Sequence, residues 1–179
     1  GQYDSSTNLA VGINALNSTT EDGIYNTAFG YNSGSNITTG KQNVFVGYLS
    51  GQTASTGNEN TGIGYQSIYN LTSGNNNTSV GNRAGSYNQT GNYNTYIGNN
   101  AGPISDLSNL SHSTAIGYNA EVTRNNQIVI GTLNETICIP GSIDLSGDLV
   151  VTGNLSVFQQ TSTAIFNTTV NNYEIVITK

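Results

Sequence analysis

Residues 60–64 read Asn-Thr-Gly-Ile-Gly, and residues 77–81, 17 positions further on, read Asn-Thr-Ser-Val-Gly. Copies of this phrase, ideally Asn-Thr-x-Ile/Val-Gly, recur through most of the chain. Their closing glycines are Gly12, Gly30, Gly47, Gly64, Gly81, Gly98, Gly117 and Gly131, separated by 18, 17, 17, 17, 17, 19 and 14 residues. A unit that returns at so regular a step predicts a solenoid of stacked coils, in which only the outer loops change length.

Each phrase predicts a short β-strand, because glycine, asparagine and threonine disfavour a helix and the apolar residues follow a two-residue period. The residue before each closing glycine is always apolar, so we expect this column to face the core. The residue two positions earlier, mostly threonine, shares that face. The middle residue varies from Gly62 to Tyr96 and is expected to face solvent or another chain. Two short strands and two turns then complete one coil of about 17 residues, stacked at about 4.8 Å.

Two polar features of the repeat predict structural roles. The first residue of the phrase is expected to form an amide ladder along the stack, with each side chain bonding its neighbours or the turn backbone. The closing glycines are expected to hold a positive φ or a very close backbone approach that a Cβ would obstruct. The ladder residues are Asn26, Asn43, Asn60, Asn77 and Asn94.

The composition argues against several functional classes. The formal net charge is −6 with only four Lys and Arg, which disfavours binding to nucleic acid or to an anionic membrane surface. No apolar stretch is long enough to insert into a membrane. Cys138 is the only cysteine, so an intrachain disulfide is impossible, and we expect a free, buried thiol.

Catalytic chemistry also has no support in the sequence. His112 is the only histidine and has no neighbouring cysteine or carboxylate cluster with metal-ligand spacing. The carboxylates are scattered and form no motif with a nucleophile or a phosphate-binding loop. We therefore predict no enzyme activity, no catalytic residue, no cofactor and no metal site.

Two stretches resemble the repeats of YadA-like heads in trimeric autotransporter adhesins. They are Asn-Thr-Ala-Phe-Gly-Tyr-Asn-Ser-Gly at 26–34 and Ser-Thr-Ala-Ile-Gly-Tyr-Asn-Ala at 113–120. Related repeats occur in phage and large-virus tail fibres. The resemblance covers about residues 8–131 and implies an all-β, left-handed parallel β-roll solenoid, three copies of which pack around an axis as a homotrimer. The coils here are longer than in the bacterial heads, so their collagen-binding surfaces are not carried over.

The chain is predicted to have two parts, a β-roll head at 1–131 and a β-structured shaft or connector at 132–179. Beyond Pro140 the period becomes six, with apolar residues at the third and fifth positions, as at Ile143 and Leu145. Such a pattern cannot close a core alone, so three chains are expected to share it. It looks like the shafts of viral tail fibres, whereas a bacterial adhesin would typically continue into a heptad coiled coil.

The combined expectation is a trimeric segment of a viral fibre or spike at the virion surface. It would mediate or support attachment to a host-cell receptor or glycan, together with other virion or fibre proteins. One alternative is the head of a bacterial surface adhesin, displayed on the cell surface. Another is an ice-binding solenoid, suggested by the threonine column, although that column is expected to share a face with the buried apolar one.

Loops stacked along one edge are the candidate recognition surface, since solenoids commonly place recognition there. The alternative is that this segment is only a spacer. A column of tyrosines after the closing glycine, Tyr31, Tyr48, Tyr65 and Tyr118, suggests either a carbohydrate-binding stripe or packing between coils. The candidate contact residues in the loops are Tyr69, Asn75, Tyr87, Tyr93 and His112.

Overall fold

The computed structural model describes residues 7–147 and 150–151 of the 179-residue chain. In these residues the protein is all-β and contains no helix. The chain divides into two compact units, Gly1–Cys138 and Ile139–Lys179. The first unit contains every strand described below.

All eight copies of the repeat phrase become strands of one parallel sheet, which confirms the predicted β-solenoid of about 17-residue coils. The sheet order is β1-β2-β3-β4-β5-β6-β8-β10, and β7 pairs with β9 in a separate two-stranded parallel sheet. Equivalent residues of successive repeat phrases pair with each other, as Thr61 does with Thr78. The strands are β1 (Leu9–Val11), β2 (Thr27–Phe29), β3 (Val44–Val46), β4 (Thr61–Ile63), β5 (Thr78–Val80), β6 (Thr95–Ile97), β7 (Gly102–Pro103), β8 (Thr114–Ile116), β9 (Glu121–Val122) and β10 (Ile128–Ile130).

The prediction of a second strand in every coil is wrong for most coils. After the closing glycine the chain enters a turn whose second residue has a left-handed backbone, with φ of 50° at Asn32 and 58° at Leu49. These turns still stack by backbone hydrogen bonds, and Leu49 N donates to Tyr31 O at 2.9 Å. Left-handed residues interrupt an extended strand, so only the short pair β7–β9 is assigned in this part of the coil.

The two faces of the strands are opposite to the prediction. The middle residue of the phrase is fully buried at Phe45, Gly62 and Tyr96, whereas Ile63 and Ile97 before the closing glycine are exposed. The variable sizes of the middle column, which suggested an outside position, come from packing across the core, both within a coil and between neighbouring coils. We call corner the fourth residue after each closing glycine. Phe45 packs against the corner residue Gly51, where an added Cβ would lie 2.5 Å from Phe45 Cδ1.

Large residues pack against small ones in the core. Where the middle residue is Gly62, the corner residue Ile68 supplies the bulk, and a Cβ on Gly62 would lie 3.0 Å from Ile68 Cγ2. Tyr96 lies over Gly85 in the same manner, 2.6 Å from the position of a Cβ there. Two apolar clusters result, one containing Leu16, Ala28, Ile37, Phe45, Ala54, Ile68 and Leu71, the other Ala84, Tyr96, Ala101, Leu110, Ala115, Ala120 and Val122.

The asparagine ladder is confirmed. Asn43 Nδ2 donates to Asn26 Oδ1 at 3.0 Å and to Gly57 O at 2.8 Å, while the backbone N of Asn43 also donates to Asn26 Oδ1. The same three bonds recur at Asn60 and Asn77. These amides are fully buried, and their hydrogen bonds remove the cost of burying a polar group.

The closing glycines have the backbone that the repeat predicts. From Gly12 to Gly117 their φ lies between 122° and 137°, and at Gly131 it is 75°. The coils also approach closely here, because a Cβ on Gly30 would lie 2.5 Å from Gly47 O. Side chains at this column are therefore excluded by both conformation and space.

Residues 132–147 and 150–151 contain no strand, and Ile143 and Leu145 are exposed. The other hexad residues, 148–149 and 152–157, lie outside the described part. The shared three-chain shaft therefore stays a prediction. Cys138 is exposed, so the prediction of a buried thiol is wrong.

Candidate functional site

The outer face of the eight-stranded sheet carries a continuous apolar column. We call outer face the side chains at the first and third positions of each strand. The third-position residues that are exposed have between 36% and 56% of their surface accessible, and Val46 and Val80 in the same column are half-buried. Contiguous apolar surface of this kind marks an interaction site, because monomeric proteins rarely leave it uncovered. The exposed members are Val11, Phe29, Ile63, Ile97, Ile116 and Ile130.

Threonine occupies most first positions of the outer face. Thr27, Thr61 and Thr95 are half-buried and Thr78 is exposed, so their side chains point away from the core. The outer face therefore repeats as Thr-x-Ile/Val in an in-register stack of parallel strands.

The tyrosine column after the closing glycines packs between coils. Tyr31 stacks on Tyr48 with centroids 5.3 Å apart and an interplanar angle of 11°, and Tyr48 stacks on Tyr65 at 5.4 Å and 5°. Tyr48 has a ring on each face, and Tyr31 and Tyr65 each have one face covered by it. A sugar ring packs on an aromatic face, so this stack favours the packing interpretation over a carbohydrate-binding stripe. Asn82 and Asn99 occupy the next two positions of the column before Tyr118.

The predicted loop contacts fall in two parts of the coil. Tyr93 and His112 stack with centroids 5.0 Å apart, and the backbone N of Tyr93 donates to Asn75 O at 3.0 Å. The structure thus brings these three residues together on adjacent coils. Tyr69, half-buried, and Tyr87, exposed, lie earlier in their coils, soon after the corner.

Asn75 has a structural role that the sequence analysis missed. Its side chain belongs to a second amide ladder, in which Asn58 Nδ2 donates to Asn75 Oδ1 at 3.0 Å and Asn75 Nδ2 donates to Asn92 Oδ1 at 3.1 Å. The signal was present, because each of these asparagines directly follows a glycine of a second 17-residue column, Gly57, Gly74 and Gly91. A side chain held in this ladder is less available for a receptor.

A polar cleft of about 390 Å³ lies beside the longest coil of the repeat, the 19-residue coil between β6 and β8. After β7 the chain makes an excursion over residues 104–113 before β8 begins. The cleft is bounded by this excursion, by the turn before it and by the following coil. Its principal polar lining consists of Arg83, Tyr87, Asn100, Ser105, Asn119 and Glu121.

The described residues contain no group of three or more His, Cys, Asp and Glu side chains able to hold a metal ion. Nor does a helix there reach the length and apolarity of a membrane span. Burial raises the pKa of the Tyr96 phenol above its ordinary value, and this hydroxyl has no hydrogen-bond partner. Tyr96 is enclosed in the core, so the shift reflects packing and points to no reaction site.

No protein-family model, curated protein or solved structure matches this chain. The resemblance to YadA-like repeats therefore rests on the residues that carry it, and stays a prediction. The geometry defines a repeat protein of the β-solenoid class with an uncovered apolar sheet face.

Proposed function

We propose that this chain is a trimeric structural segment of a surface fibre or spike, of the viral tail-fibre kind, that supports attachment to a host-cell surface. The observation that carries the proposal is the outer face, where apolar side chains run without a break along all eight strands. This arrangement suits a protein whose surfaces bind other chains and whose stability comes from stacking and association.

Copies of the same chain are the occupants that fit this face best. The apolar residues recur at the inter-strand spacing of about 4.8 Å, so a partner must present contacts with the same period over the same length. A second identical sheet does so by construction. These side chains are already partly buried in one chain, so covering each contributes less than the about 1.5–3 kcal/mol of a fully buried Ile or Val, but the contributions add along all eight strands. Three copies around an axis would each cover one another's outer faces, in the arrangement that the YadA-like resemblance implies.

Exposed tyrosines in the loops beside the stacked strands support the attachment role. In a virion the segment would join other fibre proteins and hold its loops towards a receptor or glycan. A bacterial surface adhesin would use the same architecture, and the sequence that follows this segment discriminates, because an adhesin continues into a membrane-anchoring β-barrel.

The oligomeric state tests the proposal. Light scattering should give a mass about three times the 18.8 kDa of one chain. The double variant Ile63→Lys with Ile97→Lys places charges on the outer face and should yield a monomer that keeps its β-type circular dichroism. The matched control, Ser73→Lys with Gln89→Lys, adds the same charge on exposed loop positions and should stay trimeric. A monomeric wild type with an intact β spectrum would overturn the proposal.

Ice binding is a second candidate, because the structure turns the threonine column outward instead of into the core. A regular array of Thr and Ile/Val on a parallel sheet can order water. The array is interrupted by Leu9, Val44 and Ile128 and by the large ring of Phe29, which favours a protein partner. Thermal hysteresis from a monomer at micromolar concentration would support ice binding, and a trimer without hysteresis would exclude it.

A further inference from the structure

We propose that the polar cleft around Arg83, Tyr87 and Glu121 is a binding site for a neutral mono- or disaccharide. The proposal deepens the attachment role above and rests on it for its biological purpose. The cleft volume of about 390 Å³ falls in the range of about 300–1,000 Å³ that is typical of small-ligand sites.

The first argument is the position of the cleft. Four intervals between closing glycines are 17 residues, whereas the coil between β6 and β8 lengthens to 19 and the next shortens to 14, and both of these irregular coils contribute residues to the cleft. The pair β7–β9 fixes the local register, with Gly102 opposite Glu121. A local departure from an otherwise regular scaffold is where repeat proteins place binding functions.

The second argument is that polar side chains from three successive coils converge here. Arg83, Asn100 and Asn119 are each the second residue after the closing glycine of their coils, with a left-handed φ between 52° and 55°. Backbone hydrogen bonds stack these turns on one another, and Asn100 Nδ2 donates to Asn119 Oδ1 at 3.3 Å. Arg83 Nε donates to Gln66 Oε1 at 3.0 Å, which orients the guanidinium group.

The third argument is the hydrogen-bonding capacity left for a ligand. In the described part of the chain, the Nη groups of Arg83, the carboxylate of Glu121 and the phenol of Tyr87 make no hydrogen bond to protein. Arg83 offers donors, Glu121 accepts, and an asparagine amide does both. Sugar hydroxyls require this mixture. The exposed ring of Tyr87 adds an apolar surface for the C–H face of a pyranose, and one cation with one carboxylate favours a neutral sugar over a charged one.

Binding of defined sugars to the full chain tests the site. Lactose, maltose and N,N′-diacetylchitobiose are the probes, followed by NMR of the tyrosine ring signals. We expect at least one probe to bind with a Kd of about 1 mM and to shift the signals of Tyr87. Tyr87→Ala and Glu121→Gln should each weaken binding about tenfold or more. Tyr25→Ala, at an exposed ring outside the cleft, should leave the affinity unchanged.

The outcomes separate this inference from the proposed trimer, because the mass of every sample is measured as well. A trimer that binds none of the probes at about 10 mM overturns the sugar site and leaves the fibre proposal standing. Sugar binding that both cleft variants retain also overturns the sugar site and leaves the fibre proposal standing. A monomer that binds a probe through Tyr87 supports the sugar site and overturns the trimer. Circular dichroism confirms that each variant is folded.

Discussion

At the scale of single residues, the backbone decides which positions tolerate a side chain. The closing glycines combine a φ near 130° with close approach to the next coil, and few residues other than glycine accept either condition. The second position after the closing glycine tolerates larger side chains, since Leu49, Gln66 and Arg83 hold a φ of 51–58° there. The side chain at that position can therefore vary, and Arg83, Asn100 and Asn119 at this position line the cleft.

Gly64→Val should destabilise the solenoid by at least about 3 kcal/mol, because it adds backbone strain and a clash with the carbonyl of Gly81. Chemical denaturation followed by circular dichroism measures the loss. Thr90→Val, at an exposed loop position, is the control and should change stability by less than about 0.5 kcal/mol. Asn88 cannot serve as such a control, because it is buried and its Oδ1 accepts from Gly91 N at 2.9 Å. Similar stabilities for the two variants would contradict the coil geometry.

Tyr96→Phe should stabilise the protein by about 1 kcal/mol, because it removes a buried hydroxyl that lacks a partner. It should also change the alkaline response. The folded-state pKa of Tyr96 is raised by burial, so above about pH 10 the unfolded chain loses this proton while the folded chain keeps it, and stability falls as pH rises. Tyr96→Phe should lessen that fall relative to wild type. A destabilised Tyr96→Phe would show that the hydroxyl is satisfied.

At the scale of elements, the repeat predicts the strands, their parallel register and the asparagine ladder, but not which strand face is buried. A two-residue period separates two faces without saying which one meets the core. The uniform Ile/Val column suggested burial, yet a uniform column serves a partner chain equally well. The informative signal was that residue sizes at two positions of the repeat compensate. The large middle residue Phe45 occurs with the small corner residue Gly51, whereas the small middle residue Gly62 occurs with the large corner residue Ile68. The cleft needed the structure, because its residues come from three coils and an irregular loop.

The packing of Phe45 against Gly51 across the core leads to a further prediction. Gly51→Ala should cost about 1–3 kcal/mol, because its Cβ would overlap the ring of Phe45. The left-handed φ of 59° is not by itself prohibitive, since Ile68 holds 52° at the same corner. In a double-mutant cycle, Phe45→Leu should recover part of the cost, giving a coupling of at least about 0.5 kcal/mol measured by denaturation. Additive effects would show that strain at the corner, and not contact with Phe45, sets the cost.

At the scale of the whole molecule, the apolar sheet and the polar loops occupy different parts of each coil, so association and recognition can be altered separately. The outer face is formed by the strand residues, whereas the predicted contacts Tyr87, Tyr93 and His112 lie outside the strands. Several loop residues are nevertheless structural, among them Leu71, Asn75 and Asn88. A loop exchange that ignores them would test folding instead of attachment.

Polar loops of equal length grafted over 69–76 and 86–93 in the intact fibre test whether this segment contacts the host. The grafts keep the residues at core and ladder positions and replace exposed or half-buried ones, including Tyr69, Tyr87 and Tyr93. We expect attachment to host cells to fall by at least about tenfold, a loss of about 1.4 kcal/mol, because aromatic loop residues supply much of the energy of such contacts. The control changes Thr38 and Thr39 to serine in another loop and should attach as wild type does. If the grafted fibre is trimeric and attaches undiminished, this segment is a scaffold and the receptor contacts belong to another part of the fibre.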